Sequence, residues 1–214
     1  LGLDPIPSVI DLLESHGILV LIIDVANDSY FDGLQAMVEH TPVVVVSSRW
    51  PGDRQRFTLA HELGHLLFDD RRADTIDVER ACNRFAGAVL LPREAARERI
   101  GHKRRGLEPQ ELYALKQEYG ISMGAVVFRA ADLGIISQAT RRQLFVTFGR
   151  RGWRTREPGS QYQSEDTHLF RHLVYRALAE SYIGESKAAE LLRLSLDDFY
   201  RDRAMEFAGA DSGE

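Results

Sequence analysis

The stretch Arg56-Phe57-Thr58-Leu59-Ala60-His61-Glu62-Leu63-Gly64-His65-Leu66-Leu67-Phe68 constrains this chain more than any other. It reads as a helix. At about 3.6 residues per turn, His61 and His65 share one face, one turn apart, so two imidazoles converge on one point. Glu62 beside them is placed to take a proton from an activated water. Phe57, Ala60, Gly64, Leu67 and Phe68 follow one helical stripe, while Leu59, Leu63 and Leu66 cover another side. A helix apolar on most faces is expected to be buried. Two histidines and a carboxylate buried there would cost on the order of several kcal/mol unless something satisfies them. A Zn2+ ion would do so; the plain alternative is a helix with two hydrogen-bonded core histidines.

A catalytic zinc takes about three protein ligands and keeps a further position open. The next predicted helix, about Thr75 to Leu90, can supply the third. It carries Val78, Cys82, Phe85 and Val89 on one stripe and Glu79, Asn83 and Ala86 on the adjacent one, before Pro92 interrupts it. Glu79 is the best-placed candidate, 14 residues beyond His65. Asp69, Asp70, Asp74 and Asp77 are alternatives, and Cys82 is a softer one that zinc would also accept. Asn83, one turn on from Glu79, suits a residue that orients Glu79 or an imidazole.

Upstream, residues 5 to 16 read as a short helix ended by Gly17, and Ile18 to Asp24 as a buried strand. Leu34 to Val38 and Pro42 to Ser47 read as a strand pair around Glu39-His40-Thr41. Trp50-Pro51-Gly52-Asp53 then breaks the sheet and starts the His61 helix. Strands followed by that helix make a small α+β core, assigned to residues 1–100.

The remainder reads as mainly helical, with a helix-turn-helix-like segment at 101–136 and a C-terminal helical region at 137–214. Pro109 to Tyr119 and Ser122 to Leu133 are two helices joined by a tight turn at Gly120. The second is Met123-Gly124-Ala125-Val126-Val127-Phe128-Arg129, short of the side chains that read base edges, so it is expected to pack rather than bind DNA. His102-Lys103-Arg104-Arg105 reads as a solvated turn. Residues 137–156 hold Arg141, Arg142, Arg150, Arg151, Arg154 and Arg156 without a carboxylate, interleaved with Phe145, Phe148 and Trp153. A solvated arginine face and a docking surface both fit that pattern. Arg156 to Ser164 is a polar loop and a candidate boundary, and Thr167 to Tyr182 reads as an amphipathic helix. From Ser186 to Phe199 the cadence again suggests a helix-turn-helix, but Asp197 and Asp198 would repel phosphates.

Composition limits the function classes. A formal charge of −5 gives no global reason to expect nucleic acid as partner. The single cysteine, Cys82, excludes an internal disulfide and suits a reducing compartment. The longest aliphatic runs, Ile18 to Ile23 and Val43 to Val46, are too short for a bilayer, and no export leader precedes them. A cytoplasmic protein with no membrane partner is therefore expected. The chain opens on Leu1 rather than Met, which leaves room for an upstream domain.

Three blocks together, Gln55 to Leu67, then Glu79-x-x-Cys82-Asn83-Arg84-Phe85-Ala86, then Leu90-Leu91-Pro92, resemble the ImmA/IrrE metallopeptidase family over roughly residues 5 to 136. The resemblance implies a zincin-like fold, Zn2+ held by His61, His65 and Glu79, and Glu62 as catalytic base. It also implies a protein substrate, a helix-turn-helix transcriptional repressor, cleaved in stress or mobile-element regulation. Direct specific DNA binding by this chain is not expected. Cys82 stands where alanine is usual in the family, placing a thiol beside the metal, with core filling as the other reading. His102, Tyr113 and Tyr119 are candidates by residue type for an additional electrophile. The competing class is a DNA-binding or adaptor regulator with a non-catalytic metal site, against which the intact Glu62 argues.

Overall fold

The computed structural model describes residues 2–24, 31–68 and 77–205. The chain divides into two compact units, Leu1–Asp166 and Thr167–Glu214. The first is mixed α and β around a three-stranded sheet.

Helix α1 spans Val9–Ser15, shorter than the residue pattern predicts, because Ser8 takes the N-cap and accepts a hydrogen bond from Asp11 N. Pro5 and Pro7 therefore precede the helix. Strands β1 (Leu19–Ile23), β2 (Gly33–Val38) and β3 (Thr41–Ser47) follow. β2 and β3 form the expected antiparallel hairpin, with Glu39 at φ 55 in the turn. β1 pairs in parallel with β3, Val20 opposite Val44, so the order is β1-β3-β2 and β3 is central. Being an edge strand, β1 fully buries only Val20, although its sequence reads as a buried run.

Helix α2 (Gly52–Phe68) packs on β2, β3 and most extensively on α3 (Val78–Leu90). Its first half is buried as predicted, including Leu59 and Ala60. Its last turn is not: Leu67 is 51% exposed. Asp77 caps α3 by accepting from Arg80 N. Of the predicted Val78-Cys82-Phe85-Val89 stripe only Cys82 lies on the deep face of α3, which is completed by Ala86, Gly87 and Leu90. The reason is volume. Where two helices approach closely, small residues take the contact line, and Phe85 moves to the flank against Phe68, ring centroids 5.6 Å apart.

Pro92 opens a helix rather than only ending one: α4 (Arg93–Ile100) starts directly after it. Helices α5 (Pro109–Tyr119) and α6 (Met123–Asp132) are joined by Gly120 in the left-handed conformation, with Ser122 capping α6. Helix α6 buries Met123, Val126, Val127 and Ala130 in the core. The basic turn is not merely solvated, since Arg104 donates to both carboxylate oxygens of Glu111. Helix α7 (Gln138–Arg150) packs on α6 and buries Phe148.

Two buried cations hold the segment after α7 to this unit. Arg56, 1% exposed, donates to Glu165, Ile6 O, Pro7 O and Tyr119 O. Lys116, also 1% exposed, lies 3.2 Å from Asp53 and 3.0 Å from Glu157. Glu157 in turn accepts from the N–H groups of Met123 and Gly124 at the start of α6. A Cβ on Gly52 would stand 2.0 Å from Gln163 O, so glycine is required where this segment crosses α2.

The second unit is helical: α8 (Leu169–Ala179), α9 (Glu185–Leu192) and α10 (Leu196–Arg203). Val174, Ala188, Ala189 and Phe199 form its core. Arg193 ends α9 at φ 57 and Ser195 caps α10, which leaves Asp197 and Asp198 in the first turn of α10.

Candidate metal centre

Burial of α2 against the sheet and α3 fixes which face His61 and His65 present. Their Nε2 atoms lie 3.0 Å apart, with the rings edge to face. Glu79, in the first turn of α3, brings Oε2 to 3.4 Å from His61 Nε2 and Oε1 to 3.1 Å from His65 Nε2. These ligand atoms all fall within 4.8 Å of one another, the one such cluster among the described residues. The histidine side chains are largely buried, whereas that of Glu79 is 71% exposed and opens the cluster to solvent on one side. Two imidazole nitrogens and a carboxylate are aimed at one point. The donor set fits a divalent metal.

Electrostatics follow from the burial. Desolvation, and then the neighbouring His65, lower the pKa of His61, while Glu79 and a hydrogen bond between the His61 ring and Asn83 act the other way. A His held below its usual value keeps the neutral ring that a metal needs. Glu62, adjacent to His61, is half-buried, and desolvation pushes its carboxyl above the ordinary range. A raised carboxylate pKa brings the group nearer to what a general base at neutral pH requires. Cys82 is fully buried behind the cluster, and burial, then Glu79 and Glu62, raise its thiol. At an elevated pKa the thiol stays protonated, which is the inert form.

Sequence reasoning therefore names four side chains that the fold brings together, His61, Glu62, His65 and Glu79, with Asn83 in contact with His61. Asp77 is used as a helix cap; Asp69, Asp70 and Asp74 lie outside the described residues. His102 is exposed, Tyr113 takes a hydrogen bond from Ser160 N, and Tyr119 is buried beside Arg56. Unforeseen were Arg84 and Arg129, which line a cleft together with Asn83, Glu79 and the arginines already visible at 137–156. Their spacing in the sequence carries no pattern, because α3 and α6 contribute them separately.

Residues 13–131 match the family described as the IrrE N-terminal-like domain, more than half of the chain. The chain belongs to the ImmA/IrrE family. Curated relatives in that metallopeptidase family include the radiation response metalloprotease IrrE of Deinococcus radiodurans, 31% identical over 107 residues. The match covers 44% of this chain and 32% of that protein. The same-named protein of Deinococcus deserti is 38% identical over 65 residues, 24% of this chain and 23% of its own length. The matched stretch thus spans about a third or less of these relatives. A solved structure described as a Mycobacterium tuberculosis transcriptional regulator aligns with a TM-score of 0.43 at 22% identity, over 57% of this chain and 40% of that one.

Proposed function

We propose that this ImmA/IrrE family member is a zinc-dependent endopeptidase with a zincin-like core, acting in the cytoplasm on a specific protein, a helix-turn-helix transcriptional repressor. One observation carries the reading: His61, His65 and Glu79 converge with Glu62 alongside. Ligands about 2.0–2.1 Å from a tetrahedral centre stand roughly 3.3 Å apart. The separations of 3.0, 3.4 and 3.1 Å match that figure.

A zinc ion held there would supply Lewis acidity, for activating water and polarising a carbonyl. The chain's own residues do the rest. His61 and His65 present their ring nitrogens from a helix that cannot shift without opening the core. Asn83 orients His61, and Cys82 backs the site from α3. Glu62 takes a proton from the attacking water at its carboxylate and returns it to the leaving amine. A purely structural metal would have no use for such a base beside its ligands.

Strand β2 supports an extended substrate, since it is a sheet edge next to α2 with Met37 and Val38 exposed. The relatives' description as radiation response metalloproteases supports a role in a stress response. The chain would act without entering a bilayer; no helix among the described residues is long and apolar enough to cross one. Co-expression of a helix-turn-helix repressor from the same genome with wild type and with Glu62→Gln tests the reading. Repressor lost only with wild type is expected. Equal repressor levels in both would refute cleavage of that partner.

A further inference from the structure

A cleft of about 1680 Å³ is lined by Glu79 and Asn83 together with residues of α2, α3, α6, α7 and the segment from Trp153 to Ser164. That exceeds the roughly 300–1,000 Å³ of small-molecule sites and suits a polypeptide. Its floor is an aromatic ladder: Phe128 to Phe145 at 4.9 Å, Phe145 to Phe148 at 5.7 Å, Phe148 to Trp153 at 5.6 Å. Phe128 is 49% exposed, Phe145 and Trp153 are partly buried, and Phe148 is buried beneath them, so the ladder is open to a ligand at its Phe128 end.

The walls are cationic once internal pairs are removed. Lys116 occupies Asp53 and Glu157, and Arg84 faces Asp132 at 3.6 Å. Among the described residues, Arg129, Arg141, Arg154 and Arg156 form no ion pair, and all four line the cleft. Three of them are oriented by other means. Arg129 donates Nε to Leu91 O, Arg141 lies over the Phe128 ring at 5.0 Å, and Arg154 donates to Phe145 O. A guanidinium has five donors, so each keeps N–H groups for a ligand. Burial pulls Arg129 below its usual value; Asp132 and Glu94 oppose that shift, and Arg93 and Arg84 add to it.

We propose that this cleft docks an acidic segment of a protein substrate: Arg129, Arg141, Arg154 and Arg156 meet its carboxylates while the aromatic ladder takes an apolar side chain. The proposal rests on the peptidase reading for the identity of the guest, because Glu79 and Asn83 line the same cleft. A nucleic acid fits less well. A strand carries one charge about every 3.4 Å, and the cleft also holds the carboxylates of Asp77 and Glu79, which a continuous phosphate backbone would meet. A peptide can place its acidic residues only where the arginines stand.

The test is fluorescence anisotropy on the full chain carrying Glu62→Gln. The probes are a labelled peptide alternating Asp and Glu around one Phe and one Leu, its Lys-substituted counterpart, and a thymidine oligonucleotide of equal length. The acidic peptide should bind, with affinity falling as salt rises, and the Lys peptide should not. Arg141→Glu with Arg156→Glu should weaken binding at least about tenfold. Arg142→Glu with Arg150→Glu, the same charge change on arginines of α7 outside the cleft, should leave it unchanged. Equal weakening by both pairs, no binding of the acidic peptide, or tighter binding of the oligonucleotide would overturn the proposal. Because binding is read without turnover, a chain that binds but does not cleave keeps this surface and loses the peptidase reading. A chain that cleaves its repressor but ignores these charges loses this surface alone.

Discussion

Gly64 packs directly against Cys82 across α2 and α3, the two helices that carry the site. A Cβ on Gly64 would stand 3.2 Å from both the Cα and the Sγ of Cys82, and 3.3 Å from its Cβ. His65 follows Gly64 directly, and Glu79 lies one turn before Cys82, so this contact sets how near Glu79 comes to the imidazoles. The thiol is a small apolar filler at a crossing where a larger side chain would push α3 away.

Gly64→Ala should therefore destabilise the chain by about 1–3 kcal/mol through overpacking. It should also weaken zinc binding by displacing Glu79. Cys82→Ala, which shrinks the same contact, should cost less than about 2 kcal/mol and retain the metal. Thermal unfolding and a zinc competition titration check both; unchanged zinc affinity in Gly64→Ala would show that the crossing does not set the site.

The Arg56–Glu165 pair is nearly solvent-free and links α2 to a residue 109 positions away. Glu165 also accepts from Ser8 Oγ and Ile10 N, at the start of α1. Removing one partner of such a pair leaves a buried charge uncompensated, at a cost of roughly 3–5 kcal/mol. Glu165→Ala should lower the melting temperature by several degrees or more, whereas Glu180→Ala on the exposed end of α8 should leave it within about a degree. Equal melting temperatures would contradict the pair's role.

One pH dependence follows from the capping box of α5. Glu111 accepts from Glu108 N, and that hydrogen bond, followed by Arg104, holds its carboxyl below the usual range against the opposing cost of burial. A folded pKa below the unfolded one means stability present above the unfolded value and lost as pH falls through the folded value. Wild type should therefore exceed Glu111→Gln by about 1 kcal/mol or less at neutral pH, since the group is largely exposed. The difference should shrink as pH drops below the ordinary carboxylate range. Denaturant unfolding of both chains across that window reads it, and a constant difference would refute the assignment.

What the sequence made legible was local. The β2–β3 hairpin, the Gly120 turn and the i,i+4 pair on α2 each depend on neighbours within a few residues. Glu79 was reachable because only one following helix could return to the site. Strand β1 beside β3 was not legible, since a parallel pairing leaves no turn signal. Nor were the buried partners of Arg56 and Lys116, which lie 41 or more residues away for Glu157, Glu165, Ile6 and Pro7. The arginines at 137–156 were visible as a group, but only the fold separates Arg141, Arg154 and Arg156 in the cleft from Arg142 and Arg150 outside it. The α4 helix was missed although Arg93-Glu94-Ala95-Ala96 after Pro92 is a strong helical start.

The central claim is that His61, His65 and Glu79 hold zinc while Glu62 remains free to act as base. Zinc content of the purified chain, measured by mass spectrometry after dialysis against metal-free buffer, tests it most directly. Wild type and Glu62→Gln should each retain about one equivalent, and His61→Ala and Glu79→Ala should lose it, with affinity reduced by at least about 100-fold. No zinc in wild type, or full zinc retained by Glu79→Ala, would contradict the account.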